Sequence, residues 1–442
     1  MTENIHDKYI TIVKEDPELF YQDYLNIKEK VNNSTAIYKG EPIDFLYQAF
    51  FFDKVEYQKL EKLLAGLISI LNKVINKYKT DSKFRSYFPF SKLMEELILL
   101  DPGYKYSFPI GRFDIFYKKD DYIKFCELNT DGASAMNEVR VLQDLMMENK
   151  AIKKIRKKYS LRGFELFHSW IDKIIENYKE FNNGIDDKPN IAIIDFEGEG
   201  TTYEFKEFQK RLIEKGYQTI ICTPAELTYK KSTLFYQDIE IKLIYRRAIT
   251  ARLLEEADKI EDLLQAYKDG TVCLVGGLVS QIVHNKYLFA ILHDKEKTSF
   301  LSNKEQEYIE KYIPYTQVLD FNNKLIIDEL LENKNKYILK PFDLYAAKGV
   351  YVGRDFSNGE WRMILREIVE ENYLFQEFVD VPEKEVCSIK DDQIIFEKYG
   401  FLLGLFTYNN QLNGLYTRSG RKNIIGAIAE SFIVPNYIIE EK

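Results

Sequence analysis

Cysteine and histidine are scarce, four of each in 442 residues, and neither is clustered. Cys126, Cys222, Cys273 and Cys387 stand far apart with no CxxC pair. His6, His168, His284 and His293 form no HExxH or comparable spacing. A structural zinc site is therefore not expected, and scattered single cysteines fit a reducing compartment. No GxSxG elbow and no Cys/His signature is present, which leaves no nucleophile of the hydrolase type. His168 lies in the apolar stretch FELFHSW and reads as a core residue rather than a catalyst. Long hydrophobic runs are missing as well. The most apolar window, LLAGLISILNKVI (63–75), is too short to span a bilayer and is interrupted by Asn72 and Lys73. The opening MTENIHDKYITIVKEDPELF has no apolar stretch of the signal-peptide kind. Positive charge is in deficit, with a net charge of -8, and this argues against a general nucleic-acid binder. The basic run Lys153–Lys158 sits on a helical pattern and reads as a solvated helix end. The expectation is a cytoplasmic protein without membrane or nucleic-acid partners, its oligomeric state unreadable.

The composition that is present, 45% hydrophobic and 30% charged, is that of a globular chain long enough for two or three units with cores of their own. Residues 1 to about 100 read as helical, from apolar residues at three- and four-residue steps in YQKLEKLLAGLISILNKVINKY and FSKLMEELILL. A strand pair follows, then helices through AMNEVRVLQDLMME and GFELFHSWIDKIIENYKEF, then a linker at Asn182–Pro189. Beyond it the pattern alternates: strand NIAIIDF, a helix through TTYEFKEFQKRLIEKGY ending at Gly216, strand QTIICTP and strand IEIKLIYRR. Alternation of this kind predicts a small parallel α/β sheet between about 189 and 285. The remainder is mixed, with strands at KYILKPF, GVYVGRD and YLFQEFV and a helix through WRMILREIVEE.

Chemistry concentrates on the strand pair GRFDIFYKKDDYIKFCELN. Arg112 and Asp114 share one face of the first strand, Glu127 and Asn129 one face of the second. Two carboxylates and an amide are the oxygen donors that Mg²⁺ takes together with phosphate oxygens, and an arginine fork suits phosphate or carboxylate. A wet hairpin with cross-strand charge pairs reads equally well from spacing alone. The turn Asp131-Gly132-Ala133-Ser134 is ordinary turn chemistry that could also turn backbone N–H groups and the Ser134 hydroxyl towards an anion. Lys340 stands at a strand end before Pro341, followed by a loop holding Ala346-Ala347-Lys348-Gly349. Such an arrangement can grip nucleotide phosphates, although the Walker spacing is missing. Gln376 and Glu377 interrupt an apolar strand, and Arg418 and Arg421 sit near a glycine-rich turn. Each of these is weak when taken alone.

In sequence, however, they resemble the synthetase portion of glutathionylspermidine synthase and the wider family of circularly permuted ATP-grasp carboxylate–amine ligases. The RxD of Arg112–Asp114, the ExN of Glu127–Asn129, the small-residue turn 130–134 and Glu138 stand in the family's order. IYRR (244–247), Asn285-Lys286, Lys340-Pro341, Gln376 and Arg418 then follow, so that the likeness covers about 105 to the C-terminus.

The resemblance implies a mixed α+β and α/β fold: a helical N-terminal region (1–104), the first part of a permuted ATP-grasp core (105–188), a Rossmann-like pre-ATP-grasp subdomain (189–285) and the nucleotide-binding part of the core (286–442). It implies ATP and two Mg²⁺ ions, the metals held by Asp114, Glu127 and Asn129. It assigns ATP binding to Lys286, Lys340, Lys348 and the hinge Gln376, Glu377, Phe378 and Val379, catalysis to Arg112 and Arg418, and substrate contact to Ser134. The partners implied are a small-molecule or peptide carboxylate and an amine, joined through an acyl phosphate. The sequence departs from the family in lacking the amidase domain, in a glycine-poor phosphate loop and in Gly132. A kinase using the same nucleotide site, or a non-catalytic nucleotide-binding module, remains a rival reading.

Overall fold

The computed structural model describes residues 2–119, 122–185, 187–198, 201–342, 348–426 and 430–442. Ala346 and Ala347 of the expected phosphate loop, and Asp186 of the linker, lie outside them. Helices α1 (Thr2–Lys14) and α2 (Pro17–Asn32) open the chain, followed by a tight hairpin (Ile37–Tyr38 with Glu41–Pro42), strand β1 (Phe50–Phe52) and helix α3 (Lys54–Thr80). Asp53 caps α3 by accepting the Glu56 N–H at 2.8 Å. Leu60, Leu64, Leu67, Leu71, Val74 and Tyr78 recur at helical spacing and are all buried, so the apolar window is one face of an amphipathic helix. No helix among the described residues is long and apolar enough to cross a membrane.

Strands β2 (Ile110–Lys118) and β3 (Tyr122–Asn129) pair antiparallel and are followed by α4 (Met136–Met146), β4 (Tyr159–Arg162) and α5 (Phe167–Phe181). His168 is exposed on α5, contrary to its sequence reading. The buried stripe of that helix is Phe167, Trp170, Ile171, Ile174 and Tyr178, and His168 falls on the opposite face.

The alternating segment folds as expected into a parallel sheet. Strands β5 (Ile191–Ile194), β6 (Thr219–Cys222), β7 (Leu243–Arg246) and β8 (Cys273–Val275) lie in the order β8-β7-β5-β6, with helix α6 (Thr202–Glu214) between β5 and β6. IEIKLIYRR, expected as one strand, breaks at Lys242. Ile239–Ile241 alternates exposure and joins an antiparallel three-stranded sheet, whereas β7 is buried along its whole length, as parallel strands are.

The last third holds β9 (Thr316–Val318), β10 (Tyr337–Pro341), β11 (Tyr351–Val352) and β12 (Tyr373–Glu377), an antiparallel sheet ordered β9-β12-β10-β11. It packs over its own small core around Leu330, Leu339 and Trp361. The chain then runs through β13 (Glu383–Lys390), the long β14 (Gln393–Tyr408), β15 (Gln411–Gly420), β16 (Phe432–Val434) and β17 (Asn436–Glu441). The large sheet is ordered β16-β15-β14-β2-β3, with β13 also on β14. β17 pairs parallel with β1 and antiparallel with β4, so the ends of the chain are joined through one sheet. The first hundred residues are mostly helical, and their apolar faces belong to the same core as the large sheet.

Candidate functional site

The polar quartet is set by strand register. Arg112 lies opposite Asn129 and Asp114 opposite Glu127. The register then slips, placing Ile115 opposite Phe125 and leaving Cys126 as an extra residue. Without that bulge Phe125 would share a face with Glu127. With it, Phe125 turns to the side of Ile115, where both are fully buried. The bulge is the reason an apolar strand can run directly into Glu127 and Asn129.

Asp114 is the centre of the cluster. Arg112 donates to it through Nε at 2.9 Å and Nη2 at 3.1 Å, Arg418 through Nη2 at 2.7 Å, and Asn129 through Nδ2 at 3.3 Å. Asn129 Nδ2 also donates to Glu127 Oε1 at 3.0 Å, and Arg112 Nη1 to the Ser134 carbonyl at 3.0 Å. Gly404 of β14 sits directly across from Asp114, and Tyr416 of β15 across from Gly404. A Cβ at 404 would stand 2.8 Å from Asp114 Oδ1 and 2.9 Å from Arg112 Cδ, so the glycine is what lets the ion pair lie down on the sheet. The Arg112 guanidinium is 5.0 Å from the Tyr416 ring centre.

Burial opposes charge on Glu127, but the positive charges of Lys286 and Arg418 and the Asn129 hydrogen bond outweigh it, holding the carboxyl well below its usual range. Burial likewise disfavours the Arg112 cation, and Asp114 more than restores it.

Lys340 on β10 reaches across to this face. Its Nζ donates to Gln376 Oε1 at 2.8 Å and to the carbonyl of bulged Cys126 at 3.3 Å, and Gln376 Nε2 in turn donates to Thr316 Oγ1 at 2.8 Å. The Lys286 N–H donates to the Phe342 carbonyl at 3.1 Å, tying that lysine to the end of the Lys-Pro strand. A cleft of about 860 Å³ touches Arg112, Glu127, Asn129 and Ser134, then Lys286, Lys340, Lys348, Gln376–Val379 and Arg418. The sequence-derived residues are thus brought to one cavity, with one exception.

The exception is Asp114, which is 1% exposed and does not line the cleft. Both its oxygens are taken, so in this state it anchors two arginines rather than facing a cation. Among the described residues no three His, Cys, Asp or Glu side chains converge on one point. The donors that do fit Mg²⁺ are the ionised Glu127 and Asn129, whose amide nitrogen is committed to the carboxylates and whose oxygen is left for a cation. Mg²⁺ is commonly held by one or two carboxylates with phosphate oxygens and water completing the shell.

Two further expectations are modified. At the hinge expected to bind ATP, the N–H groups of Glu377 and Phe378 are taken within the fold, donating to the Tyr315 carbonyl at 2.8 Å and the Lys336 carbonyl at 2.7 Å. At the N-terminus of α4, the N–H groups of Met136 and Asn137 are capped by Glu204 Oε2 at 2.7 and 3.3 Å, not turned to a ligand. Glu204 is paired with Arg247 at 3.0 Å, and Asp131 with Arg246 at 2.6 Å, both pairs buried. The Arg-Arg end of β7 therefore ties the 130–135 turn to the parallel sheet. Glu204, Gly404 and Tyr416 had no assigned part in the site from sequence, and Glu138 had only its place in the family's order.

No family model matches this sequence, and no curated protein matches it. Among solved structures, a glutathione synthetase-like effector from Globodera pallida, in its apo form, aligns with a TM-score of 0.58 over 96% of this chain and 98% of its own, at 11% identity. A putative gamma-glutamylcysteine synthetase from Methylobacillus flagellatus gives a TM-score of 0.40 at 11% identity, over 85% of this chain and 87% of its own. D-alanyl-alanine synthetase A from Vibrio cholerae gives 0.28 at 8% identity, over 57% and 88%. At such identity the effector's near end-to-end alignment speaks for fold alone. The protein is a mixed α/β chain with an ATP-grasp-like fold, similar in architecture to the glutathione synthetase-like effector.

Proposed function

We propose that the protein is an ATP- and Mg²⁺-dependent carboxylate–amine ligase that forms an amide through an acyl phosphate, as the resemblance to the glutathionylspermidine synthetase family suggests. The observation that supports this reading best is the contact of Lys340 with both Gln376 and the bulge beside Glu127, which joins the nucleotide side of the cleft to its acidic side. A carboxylate is a poor electrophile, and ATP makes it a good one by turning an oxygen into a phosphate leaving group. Lys286 and Lys340, with Lys348 from the adjoining loop, hold the phosphate chain; Gln376 to Val379 line the adenosine end. Glu127 and the Asn129 oxygen would hold Mg²⁺, which supplies charge neutralisation at the transferring phosphoryl group. Asp114 would join them as a third ligand only by giving up an arginine.

Arg112 and Arg418 are pre-set around the place where negative charge develops, first on the acyl phosphate and then on the tetrahedral oxyanion. Because Asp114 fixes both, little reorganisation is needed at the moment of reaction. Ser134, whose carbonyl already binds Arg112, lies where the acyl substrate would meet that arginine. The substrate classes are an amino-acid or peptide carboxylate and an amine. In this reading the metal-binding hairpin precedes the parallel α/β unit and the nucleotide lysines follow it, the order of a permuted ATP-grasp core.

The test is ATP turnover with Mg²⁺ against pooled amino acids, dipeptides and polyamines, reading ADP release and product mass together. A ligase yields ADP matched by a product lighter by one water than its two substrates combined. A phosphorylated product would make the protein a kinase, and binding without turnover would make it a nucleotide-binding module.

A further inference from the structure

The cleft has a second arm, lined by none of the elements that carry Lys286, Lys340 and Gln376. It runs from Ser134 along the first turn of α4 towards Thr201, Asp195 and Arg247. The parallel sheet ends there. In the order β8-β7-β5-β6 the chain leaves β5 to one side for β6 and returns on the other side for β7, so strand order reverses between β5 and β7. Crevices at the carboxyl ends of strands flanking such a reversal are the usual ligand sites of parallel sheets. Asp195 directly follows β5 and Arg247 directly follows β7.

Three buried polar atoms on this arm have no hydrogen-bond partner among the described residues. They are Glu138 Oε2, Thr201 Oγ1 and Arg247 Nε, on residues 2%, 4% and 3% exposed that all line the cleft. Two of the three are acceptors, Glu138 and Thr201. An unpartnered buried carboxylate oxygen is expensive, and a structure retains one where something else supplies the donor. The charged and titratable groups facing Glu138 are Glu204 from α6, Arg247 from the end of β7, Arg112 from β2 and Tyr416 from β15. Glu204 is already committed to Arg247 and to the α4 amides, so Glu138 is the carboxylate of the pair that is left to accept. Burial, and then the charge of Glu204, push the Glu138 carboxyl upward, which makes it a better proton acceptor than an ordinary glutamate. The arm also adjoins the acyl end of the site, since Arg112 grips the Ser134 carbonyl four residues before Glu138.

We infer that this arm seats the primary amine substrate, with Glu138 accepting a proton from the attacking nitrogen and Thr201 fixing its orientation. The inference rests on the ligase reading. The amine arrives as an ammonium ion, and Glu138 takes one proton from it to free the lone pair. That lone pair attacks the acyl carbon, a C–N bond forms, the C–O bond to phosphate breaks, and inorganic phosphate leaves with that electron pair and takes up the second proton that the nitrogen sheds. Without Glu138 the amine stays an ammonium ion, which has no lone pair to attack with.

Hydroxylamine separates this step from the one before it, because it is neutral at neutral pH and traps acyl phosphates as hydroxamates without needing a base. The full-length protein is given ATP, Mg²⁺ and pooled amino acids and dipeptides, with and without hydroxylamine. Wild type forms both the amide and, with the trap, the hydroxamate. Glu138→Gln is expected to keep ATP-dependent hydroxamate formation while losing amide formation by about 100-fold or more, the usual worth of a general base. Thr201→Val is expected to raise KM for the amine and leave hydroxamate formation unchanged. Equal loss of both products in Glu138→Gln, or loss of neither, would overturn the inference while leaving the ligase intact. Absence of hydroxamate from wild type would overturn the ligase reading and the inference with it. A Thr201→Val protein with an unaltered amine KM would overturn the placement of the amine on this arm, even if Glu138→Gln failed to fold.

Discussion

Gly404→Ala adds one methyl group at the most constrained point of the site. The new Cβ would lie 2.8 Å from Asp114 Oδ1, 2.9 Å from Arg112 Cδ and 3.1 Å from Arg112 Cγ, where real Cβ contacts essentially never fall below 3.0 Å. Neither neighbour can step aside cheaply. Asp114 is held by Arg112, Arg418 and Asn129, and Arg112 is held at both ends of its fork by Asp114 and Ser134. The whole cluster must move by several tenths of an ångström, or the strand β14 must bow away from β2. Overpacking of this kind costs about 1–3 kcal/mol. Displacing arginines aimed at a transition state is worse for rate, since a misplacement of about 1 Å can cost on the order of 100-fold. The expected result is a lowered Tm and a kcat down by tenfold or more on the order of that estimate, with nucleotide affinity little changed because Lys340 and Gln376 lie on another sheet. Gly359→Ala is the control. It changes the same atom count on a helix where the nearest heavy atom to a new Cβ is 4.0 Å away, and it is expected to be neutral or stabilising by about 0.4–1 kcal/mol. If Gly404→Ala melts and turns over like Gly359→Ala, the cluster is not packed as described and the reasoning fails.

Other outcomes follow from the charges. Arg247→Met leaves Glu204 buried without its cation, and thermal melting should register a loss of about 3–5 kcal/mol. Glu127 titrates below its unfolded value, so its stabilisation is present above the ordinary carboxylate range and lost only as pH falls through its lower folded value; a pH–rate profile should show no acid limb from it near about 4.3. Glu138 titrates above its unfolded value, so its contribution is complete below about 4.3 and lost as pH rises through the folded value. Glu138→Gln, fixed neutral, should therefore match wild-type Tm in acid and exceed it near neutrality, and a constant gap across that range would contradict the burial argument.

The sequence made the β2–β3 pair, the parallel sheet and the stop of α6 at Gly216 readable, because each rests on local periodicity or a local turn. Arg112, Asp114, Glu127 and Asn129 could be placed on one face since residues two apart in a strand must share it. What could not be read depends on register between distant strands. The second half of β14 reads as an apolar run, and nothing within GFLLGLFTY says that its second glycine will face Asp114. The bulge at Cys126 is a property of pairing, not of β3 alone. Asp114 was expected to face a metal from its residue type, but three donors converging from β2, β3 and β15 bury it. The cap on α4 comes from Glu204, 68 residues from Met136 in the chain, and His168 was misassigned because apolar neighbours do not say which face of a helix a residue takes.

The central claim is that a carboxylate oxygen is transferred to phosphate before an amide forms. It is tested most directly by supplying the pooled amino acids and dipeptides with ¹⁸O in their carboxylates, together with ATP and Mg²⁺, and analysing the inorganic phosphate released. An acyl phosphate that is displaced by an amine leaves one ¹⁸O in each phosphate formed, and Glu127→Gln should abolish the labelled product. Phosphate free of ¹⁸O alongside amide formation would contradict the acyl-phosphate route, and ATP left unconsumed would contradict the ligase.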